Sequence, residues 1–379
     1  MRTFDRQQWF PLRAGTTSRE ASSSWQPERV GIDEPARTSS ILSLDEVLEI
    51  TTRMLRSSGA SPLQADATAR SIRDAEADGI RTVGLSYLPT YCDHVACGKV
   101  LGDAVPTVAT PRPATVVVDA GNGFCHPAFE AGLDPLVDAA RTCGVGVLAI
   151  THSYSAGVLG WFVERLAQHQ LVALMFANSS SLMAPAGGGR PFFGTNPIAW
   201  AAPRRDGPPV VADFSSSAVA WVRVNAAAQA GEPIPLGWAL DAAGRPTTDA
   251  RAALAGSMVP AADHKGSALA LLVDVMSGGV AGSNFSFEAS SFVDPIGGPP
   301  DVGQVVLAID PTATMGDGFV DRIEHELRAL SSEPGARLPG DRRLQHRRVA
   351  ASDGVEVPDD LMAVLSEYAT HGSPARRTD

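Results

Sequence analysis

Apolar positions along the 379-residue chain follow two rhythms, one with helical spacing and one in short unbroken runs. The first 40 residues show neither. They are rich in Arg, Ser, Glu and Pro and read as a loosely ordered extension. "SLDEVLEITTRMLRSSGAS" predicts the first helix, with Ser43 as N-cap, Glu46 completing a capping box and Gly59 ending it. "SPLQADATARSIRDAEADGI" predicts a second, opened by Ser61-Pro62, with Ala65, Ala69, Ile72 and Ala75 on one weakly apolar face. Strands are then predicted at "ATVVVDAGN", "VGVLAIT", "LVALMFANS", "PPVVADFSSS" and "GQVVLAIDP". Helices fall between and after them, at "PAFEAGLDPLVDAARTCG", "GVLGWFVERLAQHQ", "AVAWVRVNAAAQAG", "HKGSALALLVDVMSGGVAG" and "GFVDRIEHELRAL". This alternation places the chain in the α/β class. There is no internal repeat, and the tail "GSPARRTD" reads as disordered.

Composition narrows the function classes. A hydrophobic fraction of 44% and a charged fraction of 19% suit a globular protein with a sizeable core. The net charge of −11 argues against nucleic acid or an anionic membrane as partner, since both require a positive face. Cys92, Cys97, Cys125 and Cys143 form no C-x-x-C pair, so neither a disulfide framework nor a metal site is expected. No run is long and apolar enough to span a bilayer, and "MRTFDRQQWFPLRAG" has no secretory apolar core. A soluble cytoplasmic protein is the expectation.

The chemistry-bearing motifs are unusual. "GNGFCH" and "GVGVLA" lack the third glycine of a dinucleotide fingerprint, and no P-loop, H-E-x-x-H or G-x-S-x-G occurs. Three other segments suit a ligand. "ANSSSLMAPAGGGRPFFGTNP" leaves a strand at Asn178 and Ser179, where ligands gather in α/β proteins. "ADFSSSA" puts Asp213 and three serines at a strand-to-helix junction, although Asp213 could be only an N-cap. "DHKGSALA" sets Lys265 at a helix start, where it could attract an anion or simply be solvated.

The blocks "FFGTNPIAWAAP", "VVADFSSSAVA", "GWALDAAGRPTTDA" and "DHKGSALALLVDVMSGGVAG" resemble the malate/L-lactate dehydrogenase family, which includes ureidoglycolate dehydrogenase and Δ1-piperideine-2-carboxylate reductase. The resemblance runs from about Ser43 to about Glu367. It implies a dimeric, non-Rossmann α/β fold with a helical N-terminal segment, binding NADH or NADPH and moving hydride to a keto or imine carbon. It implies a helical, substrate-side segment over 41–120, a cofactor-binding domain over 121–335 and a C-terminal segment over 336–370 returning to the first, before the tail at 371–379. By position Ser179, Gly194, Thr195, Asn196, Asp213, Phe214, Ser215, His264, Lys265 and Gly340 would face the cofactor, the last in the "LPGD" loop. Arg190 and Arg223 are candidates for a 2′-phosphate or plain surface arginines. A homodimer and a small-molecule substrate are the implied partners.

The catalytic side departs from the family pattern. The family carries Ser-His-Gly with an arginine three residues on. Here "RTVGLSYLP" puts Thr82 for the serine, Val83 for the histidine and Tyr87 for the arginine. A second family histidine is matched by Ser155 in "THSYSAGVLG", with His152 three residues earlier. Tyr87, Ser155 and His152 are therefore the catalytic candidates. A substrate without a strong need for acid catalysis, such as a cyclic imine, would suit such a site. A non-redox isomerase, cyclase or lyase on the same fold, or a non-catalytic binding protein, stay open as alternatives. His94, about eleven residues past Val83, should be carried away from the site by about three helical turns.

Overall fold

The structure is a computed structural model and describes residues 38–375. Residues 1–37 of the expected extension and 376–379 of the expected tail lie outside the described residues. A short strand β1 (Ser39–Leu42) leads into α1 (Leu44–Ser57), α2 (Pro62–Ala77) and α3 (Leu88–Ala96). β2 (Thr107–Arg112), β3 (Thr115–Asp119), α4 (Cys125–Cys143), β4 (Val145–Ser153), α5 (Gly160–Gln168), β5 (Val172–Ala177), β6 (Ile198–Ala202) and β7 (Val210–Phe214) follow. A side lobe holds α6 (Trp221–Ala230), β8 (Ala239–Leu240), β9 (Pro246–Thr247), α7 (Ala250–Leu254) and β10 (Ser257–Met258). α8 (His264–Asp274) continues as a π-helical stretch to Val280. After an irregular strap come β11 (Val302–Ile309), α9 (Thr312–Met315), α10 (Phe319–Ser332), α11 (Asp341–Asp353), β12 (Val355–Pro358) and α12 (Asp359–His371).

Local chemistry sets the element ends. Ser43 Oγ accepts from the Glu46 amide at 3.2 Å, and the Glu46 carboxylate accepts from the Ser43 amide at 2.8 Å, closing the expected capping box on α1. Ser61 caps α2 ahead of Pro62. Gly144 ends α4 with φ of +80°, a conformation that a side chain at that position would resist.

Seven strands form the central sheet in the order β2-β3-β4-β11-β5-β6-β7. Interleaved helices usually accompany parallel pairing, yet only β3 and β4 run parallel. β11 enters from far along the chain between β4 and β5 and pairs antiparallel with both. β4 and β5 therefore point the same way, and their carboxyl ends share one edge of the sheet.

Alternation along β5 loads both faces. Ala173, Met175 and Ala177 pack with Phe129, Leu136, Phe162 and Leu166 of α4 and α5. Leu174 and Phe176 pack on the other side with Val273 and Met276 of α8 and its extension. A second core joins α1, α3 and α12 to Phe124, Tyr154 and Phe292.

The C-terminal helices return to the N-terminal ones. β12 pairs antiparallel with β1, and Arg347 on α11 bridges two acids. It donates to Asp78, at the end of α2, at 2.7 and 3.0 Å and to Glu164 of α5 at 3.0 Å through each of two nitrogens. Removing the guanidinium would leave both carboxylates buried without it. Arg347→Met is expected to cost about 3 kcal/mol of stability, read as a lowered urea midpoint.

Candidate active site

The carboxyl ends of β4 and β5 frame a cavity of about 690 Å³. Several separate parts of the chain complete it. Thr82, Val83 and Tyr87 come from the turn before α3, and Ser155 from the turn after β4. Ser179 follows β5, and Thr195 precedes β6. The turn before α3 is held from beneath by Glu76, which is buried and accepts from the Leu85 amide at 2.6 Å. A Cβ on Gly84 would lie 2.1 Å from that carboxylate, so the close approach requires glycine. Burial pushes the Glu76 carboxyl up, against the Leu85 hydrogen bond and the Arg81 charge.

Among the described residues, no side chain lining this cavity carries a formal charge. Hydroxyls dominate its polar surface instead. Tyr87 donates to the Phe292 carbonyl at 2.8 Å, and burial pushes its phenol up to about 12. It is therefore neutral and protonated throughout the physiological range. Ser179 Oγ is buried in the wall without a hydrogen-bond partner among the described residues. A Cβ on Gly194 would meet that oxygen at 2.3 Å, which explains a glycine in the "FFGTNP" block.

A second cavity, of about 460 Å³, begins at Val158, between Gly157 and Leu159 of the first. Asp213 and Phe214, at the end of β7, face the Leu338–Asp341 loop here, as the position of Gly340 leads one to expect. Asp213 is exposed at this cavity, and loss of water around its carboxyl pushes it up to about 6. The Gly160 amide, which donates to it at 2.8 Å, and the Arg343 guanidinium work against that rise. Arg337, Arg342 and Arg343 line the same space. Arg343 is turned toward Asp78 and Glu164 at 3.4 and 3.7 Å, whereas Arg337 and Arg342 form no ion pair among the described residues.

The remaining candidates lie elsewhere. His152 has a backbone φ of +48° and pairs with Asp119 at 3.1 Å, away from both cavity walls. Asn196 is wholly buried and donates to Ala270 O at 2.9 Å and Asp274 at 3.2 Å, pinning α8 to the sheet. Ser215 exchanges a hydrogen bond with Ser217 at 2.9 Å. His264 and Lys265 are exposed at the start of α8 and line neither cavity. Arg223 stacks on Trp238 at 5.6 Å, and Arg190 is exposed. The sequence reading passed over Trp221, Asn225 and Gln229, one cavity-facing row on α6 whose helical spacing was a usable signal. It also passed over Phe292 and Val293, which arrive on the strap with no local signal.

Comparison with known proteins places these features in context. The model of the malate/L-lactate dehydrogenase family matches residues 42–366. The chain is 46% identical over 331 residues to the (2R)-3-sulfolactate dehydrogenase (NADP(+)) of Chromohalobacter salexigens, covering 87% of this chain and 98% of that one. It is 38% identical over 340 residues to a Δ1-pyrroline-2-carboxylate/Δ1-piperideine-2-carboxylate reductase of Pseudomonas syringae pv. tomato, covering 89% and 98%. A crystal structure of Δ1-piperideine-2-carboxylate reductase from that organism superposes with a TM-score of 0.83, over 87% of this chain and 99% of that one, at 38% identity. The sulfolactate dehydrogenase of Methanocaldococcus jannaschii gives a TM-score of 0.80 at 26% identity, over 87% and 97%.

Behind the Ser155 turn, His126 stacks on Phe162 with ring centroids 5.3 Å apart and, among the described residues, no hydrogen-bond partner on either nitrogen. Burial, reinforced by Arg165 and Arg70, pushes its imidazole down to about 3. The unfolded chain takes up a proton near pH 6.5 that the folded chain refuses, so stability is lost as pH falls below that value. Between pH 6.5 and 5 this amounts to about 2 kcal/mol. His126→Phe is expected to remove that loss, making the urea midpoint less dependent on pH over this window.

Proposed function

Because the chain belongs to the malate/L-lactate dehydrogenase family and is an NAD(P)-dependent oxidoreductase, we propose that it reduces, and in reverse regenerates, a C=O or C=N group at the 2-position of a small carboxylic acid, with NADP(H) as cofactor. One observation carries the reading. The cavity at the ends of β4 and β5 is neutral and rich in hydroxyls, and Tyr87 presents a protonated phenol in the same wall as Val83. By the resemblance, the family's first histidine and its arginine fall on Val83 and Tyr87, and its proton-donating histidine on Ser155, so on this reading the proton comes from a neutral donor. Tyr87 is that donor; Ser155, Thr82 and Ser86 orient the acid group through their hydroxyls.

The residues fit the cofactor at both ends. Ser179 Oγ is a buried polar atom awaiting a partner beside the glycine of the "FFGTNP" block. Phe214, exposed at the second cavity, offers a face for an adenine ring, and Arg337 and Arg342 suit a 2′-phosphate. The cofactor, when bound, supplies or accepts the hydride. The first substrate pair to try is (2R)-3-sulfolactate and its 2-oxo acid, as in the relative that shares 46% identity. Cyclic imino acids form a second pair, favoured because the described residues of the cavity lining include no cation that would repel a protonated imine.

The exposed Leu269, Leu272, Val275 and Val280 on α8 and its π-helical extension make an apolar stripe that we assign to a second copy of the chain. The four free thiols accord with a cytoplasmic setting. Sedimentation should show a dimer, and Leu272→Asp with Val275→Asp a monomer; an unchanged mass would remove the assignment. Tyr87→Phe is expected to lower kcat about 100-fold while leaving the affinity for NADPH unchanged. Full turnover in that variant would end Tyr87's role as donor. Arg337→Ala with Arg342→Ala should weaken NADPH about tenfold or more and NADH little. Equal weakening of both would mean that these arginines do not read the 2′-phosphate.

A further inference from the structure

We propose that the cavity face of α6 is a side-group subsite, in which Asn225 and Gln229 bind the part of the substrate beyond the reacting carbon. The group it takes is uncharged and both donates and accepts hydrogen bonds, a carboxamide or a hydroxyl. The proposal deepens the reading of this cavity as the site that reduces a 2-oxo or imino acid, and rests on it. The subsite moves neither proton nor hydride; it selects.

The side lobe sets the row. Among the described residues, α6 is the one element of that lobe that lines the cavity. Val224 and Ala228 are buried in the lobe core with Ala250, Ala253 and Met258, which fixes the rotation of the helix. Trp221, Asn225 and Gln229 recur every fourth residue, so all three fall on the flank that meets the cavity. Trp221 also packs against the lobe core. Arg223 does not line the cavity and lies over the Trp238 ring at 5.6 Å, so the charge on α6 is kept out of the site.

The two amides on this flank are unengaged. Asn178 donates to Asn284 O at 2.8 Å, Asn196 to Ala270 O at 2.9 Å and Asn284 to Pro300 O at 3.1 Å, each tying backbone together. The side chains of Asn225 and Gln229 bond to no described residue and open onto the cavity instead. Thr90, on α3, adds a hydroxyl to the same lining. A primary amide presents two N–H donors and a carbonyl acceptor, so the row can give and receive hydrogen bonds at once. The indole of Trp221 contributes an N–H donor and a flat apolar face for the carbons between the reacting centre and the side group.

Charge decides what the row accepts. The acid group at the reacting end already brings one anion into the cavity. A second carboxylate or sulfonate offers acceptors alone, so it could use the N–H groups of the amides but would face their oxygens with nothing to donate. Leu182, Pro197, Phe292 and Val293 make apolar wall around the same space. Between such walls two anions on one small molecule repel more strongly than in water, and no charged side chain among the described lining residues offsets them. A carboxamide or hydroxyl adds no charge and satisfies both halves of each amide. The substrate class is therefore a monoanionic 2-oxo acid, with its 2-hydroxy acid, that carries an uncharged polar group beyond the reacting carbon.

The test uses the full chain, NADPH and 2-oxo acids of matched size. 2-Oxobutanoate has an apolar end, 2-oxosuccinamate a carboxamide, 4-hydroxy-2-oxobutanoate a hydroxyl and oxaloacetate a second carboxylate. The wild-type kcat/KM for 2-oxosuccinamate should exceed that for oxaloacetate about tenfold or more, with the hydroxy acid near the amide and 3-sulfopyruvate near oxaloacetate. Asn225→Ala and Gln229→Ala should each bring kcat/KM for 2-oxosuccinamate down toward that for 2-oxobutanoate by about fivefold or more, chiefly through KM. Calorimetric affinity for NADPH should not follow; a parallel loss there would assign the row to the cofactor and overturn the proposal. Asn225→Lys should reverse the order in favour of oxaloacetate, a gain that misfolding cannot produce, and a variant that keeps the wild-type order also overturns it. If 2-oxobutanoate or Δ1-pyrroline-2-carboxylate is reduced while 2-oxosuccinamate has no advantage over oxaloacetate, the subsite alone fails. If every one of these acids is refused, the reading of the cavity fails and the subsite with it.

Discussion

A strap without regular secondary structure closes the site, and its backbone carbonyls need donors. The stretch from Tyr87 to Lys99 supplies them. Tyr87 donates to Phe292 O at 2.8 Å, His94 to Asp294 O at 3.1 Å, and Lys99 to Ser291 O and Asp294 O. A buried carbonyl left without a partner is costly, so these bonds hold the strap in one place. Phe292 and Val293 thereby become cavity wall, and Phe292 joins the aromatic core around Tyr154. A lysine that is nearly fully buried is unusual, and its role here is to pair with strap carbonyls rather than with a carboxylate.

The two cavities differ electrostatically. One is neutral and hydroxyl-rich, and the other carries three arginines and two carboxylates, Asp213 and Asp341. In the neutral wall, burial raises the Tyr87 phenol, so it stays protonated. The arginine-lined space suits the charged end of a phosphorylated cofactor. The two meet where Val158 separates Gly157 from Leu159, so a single turn after β4 borders both.

Much of the site could be read from short stretches of sequence. Ser179, Asp213 and Phe214 stand at the ends of strand runs visible in the sequence, whereas Thr195 precedes β6, a strand the sequence reading passed over. Tyr87 and Ser155 were reached through resemblance, and both stand in the cavity wall. His152 was not separable from them by sequence. Its left-handed backbone turns the side chain toward Asp119, a choice made by the sheet pairing of β3 with β4. Asn196 reads as a ligand residue by its motif, yet its amide is used up by Ala270 and Asp274.

What the chain determined by itself was local. Capping chemistry at Ser43 and Ser61, the glycine ending α4, and the apolar runs of β3, β4, β5, β7 and β11 act over a few residues, and a few residues suffice to read them. The α/β class follows from their order. Tertiary structure decided which distant segments meet. β11 goes between β4 and β5, the strap lands on α3, and Arg347 links α11 to Asp78 and Glu164. Those choices depend on burying apolar faces and satisfying polar groups that lie far apart in sequence. No local spacing encodes them, because each partner is chosen by what remains unpaired when the rest of the fold has formed.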